Sequence, residues 1–401
     1  MSDQIKGQIE RIANDNVENV VLFICDSLRF DYTPQEILDL GISCKAISPS
    51  TFTASSLPSI LTGEYPESHK VWSFSDCLEK KPEIISKYGN FGYFPNEIWR
   101  GIDDASQKPP LKILHLNDET KLSKMNSPFF YVEHHFGGHM VYGGKGYRDQ
   151  YDSPSEFFND HKHNPKKIST LYQDGVEDSL CRFKNLISEL KRRGIYDETL
   201  VILTSDHGEL LGEYGGMYGH GSPIVPELVE VPLVFAGAGL PSREIRSCVS
   251  SIDILPTAAA AMGINIQCEG ENLWNNHSTR NYARCDLWKH SKYPHIEYIA
   301  SSIWDEKGGI VVNMGDWYER IPYSAVHFAT APSAPISRKS LNNIAKNIRP
   351  YLSRVISYNE GPQKEIDIDQ STPKEFSANH TSNYDVEDDV QEQLEKLGYL
   401  E

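Results

Sequence analysis

The sequence holds no apolar run of the length a membrane-spanning helix needs. It has no basic block either. Lys plus Arg number 39 against 56 for Asp plus Glu, a formal net charge of −17. Nonspecific nucleic-acid binding rests on neutralising phosphates, so nucleic acid is not an expected partner. No two cysteines form a CxxC pair. The seven, Cys25, Cys44, Cys77, Cys181, Cys248, Cys268 and Cys285, are odd in number and scattered, which argues against a disulfide framework and a zinc knuckle. The opening residues MSDQIKGQIERIANDNVENV lack the apolar core of a secretory signal. The expectation is a cytoplasmic protein without a membrane span.

What is present is enough apolar residue for a packed core, 39% of the 401 residues. Asn19–Cys25 (NVVLFIC) reads as a strand buried on both faces. Leu111–Leu116, Phe129–Glu133, Leu200–Thr204 and Val231–Phe235 read the same way. Helical spacing marks Ser55–Leu61, Glu83–Tyr88, a long stretch Ser169–Arg193 and Asp253–Met262, and the first eighteen residues read as a polar lead helix. Alternating strands and helices predict an α/β fold, a mostly parallel central sheet with helices on both faces. After Gly270 short strands with Gly and Asp turns predict a smaller α+β subdomain. The expected division is 1–270, 271–358 and a tail, 359–401, ending in a helix.

In such sheets ligands sit at the carboxyl ends of the strands. Asp26 closes the first strand, and Asp206 and His207 close LVILTS. Thr204–Gly221 (TSDHGELLGEYGGMYGHG) adds Glu209 and His220 in a glycine-rich loop. Carboxylates with imidazole form a mixed oxygen and nitrogen donor set for a divalent cation, Ca, Mg, Mn or Zn. Ser48–Val71 is crowded with hydroxyls before a helix start, where a hydroxyl is a cap or a nucleophile. FFYVEHHFGGHMVYGG brings His134, His135 and His139 after a strand.

Together and in order, these segments resemble the sulfatase family of the alkaline phosphatase superfamily. The motifs are CDSLRFD, SILTGEYPESHKV, DHGELLGEYG, HGSPIVPELVEVPLVF and DILPT. The resemblance runs over most of the chain and implies the alkaline-phosphatase/sulfatase sandwich. It implies metal ligands at Asp26, Asp206 and His207, with Thr53 at the nucleophile position and also a ligand. It implies contacts from His139 and His220 to the transferred group or its leaving oxygen. Relatives with a second metal use Asp-x-x-x-His, which here reads His135-x-x-x-His139, so second-metal or substrate contacts fall on His135, His139 and His220. Glu209 is expected to support His207, and Arg29 to order the loop after Asp26.

The departures shape the expected chemistry. Sulfatases convert a Cys or Ser of C/S-x-P/A-x-R to formylglycine. Here the segment reads Thr53-Ala54-Ser55-Ser56-Leu57. Threonine cannot yield that aldehyde, because its β-carbon carries a methyl. The second Asp of the family's D-D is Ser27, and the lysine that often follows the matched His is Gly221. The favoured expectation is a metal-dependent hydrolase of phosphate monoesters, diesters or phosphonates, with Thr53 attacking a small anionic ester. The alternatives are a sulfuric ester hydrolase without formylglycine, a transferase passing the group to an acceptor alcohol, and a non-catalytic metal-binding homologue.

Overall fold

The computed structural model describes residues 9–11, 13, 17–95, 98–99, 101–276, 278–291, 296–362, 373, 376–379 and 388–396. Most of the expected lead helix and much of the tail lie outside these residues, and Ile9–Arg11 forms a short 3₁₀ turn.

The strands of the large sheet are β1 (Asn19–Cys25), β2 (Gly41–Ile47), β3 (Phe91–Phe94), β4 (Phe130–His135) and β5 (Thr199–Thr204), then β8 (Glu230–Gly237), β9 (Arg243–Glu244) and β10 (Val249–Ser250). Two-residue strands β6 (Leu210–Leu211) and β7 (Tyr218–Gly219) pair separately. The order across the large sheet is β10-β2-β8-β5-β1-β4-β3, with β9 on β2. Only β8 runs antiparallel to its neighbours. The carboxyl ends of β1, β2, β4 and β5 therefore share one edge.

β1 lies in the middle because every one of its residues is buried. Its alternation splits the core. Val20, Leu22 and Ile24 face one apolar cluster, and Val21, Phe23 and Cys25 the other. The second cluster is roofed by the helix Pro165–Arg192 through Leu171, Val176, Leu180, Phe183, Leu186 and Leu190. Each such buried side chain contributes roughly 1.5–3 kcal/mol. On the opposite face lie the helices Thr53–Thr62 and Ile254–Ala261.

Three strand assignments differ from expectation. Leu111–Leu116 is not a strand, because Pro109 and Pro110 start a short helix, Pro109–Ile113. Proline is preorganised for a helix's first turn and donates no ladder hydrogen bond. The edge strand is instead β3, FGYF, paired with β4. β2, GISCKAI, carries too little apolar contrast to stand out in the sequence.

The C-terminal sheet is an antiparallel run, β11 (Ala283–His290), β12 (Glu297–Trp304), β13 (Gly308–Asn313) and β14 (Val355–Asn359). The helices Trp317–Thr330 and Leu341–Leu352 belong to this half. The apolar cluster that holds Val20 and Leu57 also holds Ala283, Leu287, Trp304, Val390 and Leu394, so the core continues into the C-terminal elements. Among the described residues no helix is long and apolar enough to cross a membrane.

Candidate active site

Four strand ends deliver the site. Asp26 follows β1, Thr53 starts the helix after β2, His134 lies at the end of β4, and Asp206 and His207 follow β5. The hydroxyl-rich segment around Thr53 has a structural use for several of its side chains. Ser56 Oγ donates to the Asp206 carbonyl at 2.5 Å, and Ser48 Oγ donates to the same oxygen. Thr51 Oγ1 donates to the Gly221 carbonyl, whose amide returns a bond to Thr51 O at 2.9 Å. The loop after β1 is clamped as well. Leu28 N donates to Ser205 Oγ at 2.8 Å, and Ser205 Oγ to His207 O at 2.6 Å. Arg29 pairs with Asp31 and with Glu213 at 2.7 Å, the ordering role expected of it.

Asp26, Asp206 and His207 are fully buried, and one ligating atom from each lies within 4.8 Å of the others. Asp206 Oδ1 accepts from the amides of Ser27 (3.2 Å) and His207 (3.0 Å). Its Oδ2 has no hydrogen-bond partner. A buried carboxylate oxygen without a donor is costly, and a cation would satisfy it. The residues present therefore fit a divalent ion. Burial pushes the Asp26 carboxyl up, but His139, His134 and His207 around it outweigh burial and hold it well below the usual range.

Thr53 Oγ1 lies 3.0 Å from His207 Nε2. His207 Nδ1 is 2.9 Å from the Gly208 carbonyl, which only accepts, so Nδ1 carries a proton and Nε2 is the atom turned to Thr53 and the two carboxylates. The same logic applies to His139, whose Nδ1 donates to the Met140 carbonyl. His220 Nδ1 is hydrogen-bonded to Glu209 Oε2 at 3.0 Å, and burial pushes that carboxyl well up. The three rings gather, with centroids 4.7 Å apart for His139 and His220 and 4.4 Å for His207 and His220. Burial pushes His220 well down and also lowers His139, which favours the neutral form of both rings.

Thus Asp26, Thr53, His139, Asp206, His207 and His220 come together as expected. His135 does not join them. Alternation along β4 turns it to the face under the long helix, where it stacks on Phe23 at 6.0 Å. Burial, followed by Arg148 and Arg182, takes its pKa down to about 3. Glu209 is also placed differently: it holds His220 rather than His207, and accepts from Tyr142 Oη at 2.6 Å. Two residues not expected at the site appear there. His134 Nε2 stands 3.3 Å from Asp26 Oδ2, and Tyr142 supports Glu209. Strand alternation was the available signal for His134, because it faces opposite to Glu133 and His135.

Comparison with known proteins places this geometry. The Sulfatase family model matches residues 83–264, a span that includes His139, Asp206, His207 and His220 but neither Asp26 nor Thr53. The Low-salt glycan biosynthesis sulfotransferase Agl7 of Haloferax volcanii is 34% identical over 417 residues, covering 99% of this chain and 100% of the relative. The chain belongs to the sulfatase family. That family lies within the alkaline phosphatase superfamily, and its enzymes are ester hydrolases that use divalent metal ions. Sulfatase-fold structures agree in architecture. The phosphonate monoester hydrolase of Agrobacterium radiobacter aligns with a TM-score of 0.57 at 14% identity, over 82% of this chain and 96% of its own. A 2-O GAG sulfatase aligns with a TM-score of 0.57 at 13% identity, over 83% and 93%. At these identities the two structures speak for the fold alone.

Proposed function

We propose that this sulfatase-family protein moves a sulfuryl group from a sulfuric ester to Thr53, and from Thr53 to an acceptor hydroxyl. The observation that carries the reading is Thr53 Oγ1, at a helix start and 3.0 Å from His207 Nε2. Asp26, Asp206 and His207 would hold the divalent ion, with Thr53 beside it. Bound there, such an ion lowers the pKa of a hydroxyl and polarises the ester oxygen. Thr53 Oγ1 attacks sulfur in line, and the S–O bond to the leaving alcohol breaks. A neutral ring, His220 or His139, takes the threonine proton at Nε2 and returns it to the leaving oxygen. Glu209 and Tyr142 keep the His220 ring oriented through both transfers. In the second half the acceptor hydroxyl attacks the same sulfur and gives its proton to the neutral ring; the S–O bond to Thr53 breaks, and the ring returns that proton to Thr53 Oγ1. Water as acceptor gives hydrolysis.

A sulfuric ester is favoured over the phosphate monoesters, diesters or phosphonates first expected from the sequence, on one ground that bears on all of them and a second that bears on the monoester. A relative aligned over its whole length is named a glycan biosynthesis sulfotransferase, which supports a sulfuryl group and a sugar hydroxyl as acceptor. A divalent ion on two carboxylates is also balanced, so the ion and those ligands add no net charge to draw in a dianion. That suits a singly charged sulfate ester better than a dianionic phosphate monoester. The test is a panel of aryl sulfate, phosphate and phosphonate esters with each metal, with and without sugar acceptors. Sulfated acceptor and a Thr53-bound sulfuryl group by intact mass support the reading. Faster cleavage of the phosphate or phosphonate ester than of the sulfate overturns it.

A further inference from the structure

Strand β11 carries an anomaly. Its inward-facing row is Ala283, Cys285 and Leu287, all buried, and the next residue on that face is Lys289. A long charged side chain stands where the row calls for an apolar one. The strand is tied to the segment before Thr53, since Asp286 N donates to Pro49 O at 2.9 Å. The Lys289 ammonium accordingly lies 3.7 Å from the ring centroid of Phe52, the residue directly before Thr53. Phe52 stacks on His220 with centroids 6.2 Å apart. A Cβ built on Gly221 lies 3.8 Å from both Lys289 Cε and Nζ. Gly221 has φ +95° and is bonded to Thr51, so that position cannot easily carry a side chain of its own. The ammonium thus sits beside Phe52 and Gly221, the immediate neighbours of Thr53 and His220.

We propose that Lys289, delivered from the C-terminal sheet, binds the anionic group that Thr53 receives. This deepens the reading above and rests on it. Its half-buried side chain places the ammonium over the Phe52 ring and against the Gly221 turn, next to both Thr53 and His220 in sequence. With a divalent ion balanced by Asp26 and Asp206, Lys289 adds the one positive charge that matches a singly charged ester. The C-terminal half then does more than frame the large sheet, because it completes the substrate site.

Calorimetric titration of the metal-loaded protein with inorganic sulfate tests this apart from turnover, using Lys289→Met and Lys289→Arg. Loss of one charge-assisted contact weakens sulfate binding about tenfold in Lys289→Met, while Lys289→Arg stays within about threefold of wild type. Metal affinity stays the same in all three. With an aryl sulfate, Lys289→Met raises KM more than it lowers kcat. Wild-type sulfate affinity in Lys289→Met, loss of metal together with sulfate, or no sulfate binding by the wild type overturns the assignment. A protein that binds sulfate through Lys289 but cleaves no sulfuric ester overturns the transfer reading and leaves this assignment standing.

Discussion

Thr53→Val exchanges one hydroxyl for a methyl of nearly the same size at a position 1% exposed. Packing is preserved, so the stability cost lies in the hydroxyl's hydrogen bonding, which includes the contact with His207 Nε2 at 3.0 Å. That bond contributes about 1 kcal/mol net, and up to roughly 3 kcal/mol if the ring nitrogen is left unpaired. Thr53→Ser is the converse: it keeps the oxygen and opens a void of one methyl, costing about 1 kcal/mol. The two variants are therefore comparable in stability but opposite in chemistry. If Thr53 Oγ1 forms the covalent intermediate, valine lowers turnover on the order of 10⁴-fold, near 5.5 kcal/mol of barrier, and serine stays within about tenfold. Denaturant melts, single-turnover rates and intact mass on the three proteins decide the matter. Valine turning over as fast as serine refutes the role of the hydroxyl.

Asp206→Asn keeps an oxygen for the two amides on Oδ1 but removes the anion at the unpartnered Oδ2. Metal affinity falls at least about 100-fold by calorimetry, while the metal-free variant, relieved of a buried charge, melts no earlier than wild type in chelator. Gly137→Ala puts a Cβ 2.2 Å from Asp26 O at φ +57°; it destabilises by about 3 kcal/mol and loosens metal binding, and an unchanged denaturation midpoint would contradict that placement. His69 accepts from Val71 N at Nδ1 and meets Ser59 Oγ at 2.8 Å through Nε2, and burial takes its pKa down to about 3. The unfolded chain then gains the proton first as pH falls below about 6.5. His69 costs no stability above that pH and about 1.4 kcal/mol per unit below it, towards pH 3. Unfolding free energies at pH 7.5 and 5 should differ by about 2 kcal/mol less in His69→Asn than in wild type.

The strands that end at Asp26 and Asp206 were legible in the sequence for a simple reason. A strand buried on both faces is a continuous apolar run, and the first polar residue after it marks the sheet edge. NVVLFIC-Asp26 and LVILTS-Asp206 declare themselves that way, and the ordered motifs name the family. Leu111–Leu116 shows the limit, since a short apolar run reads alike as buried strand or buried helix, and Pro109 and Pro110 made it a helix.

Tertiary structure decided what depends on side-chain direction and long-range approach. Neighbouring histidines in one strand face opposite ways, so His134 reaches Asp26 while His135 stacks on Phe23. Only folding shows that Glu209 holds His220, or that Lys289, remote in sequence from Thr53, comes to rest on Phe52. Local sequence fixes periodicity and hence the elements and their ends. Which ends converge, and which charge meets which ring, is settled only when the sheets pack.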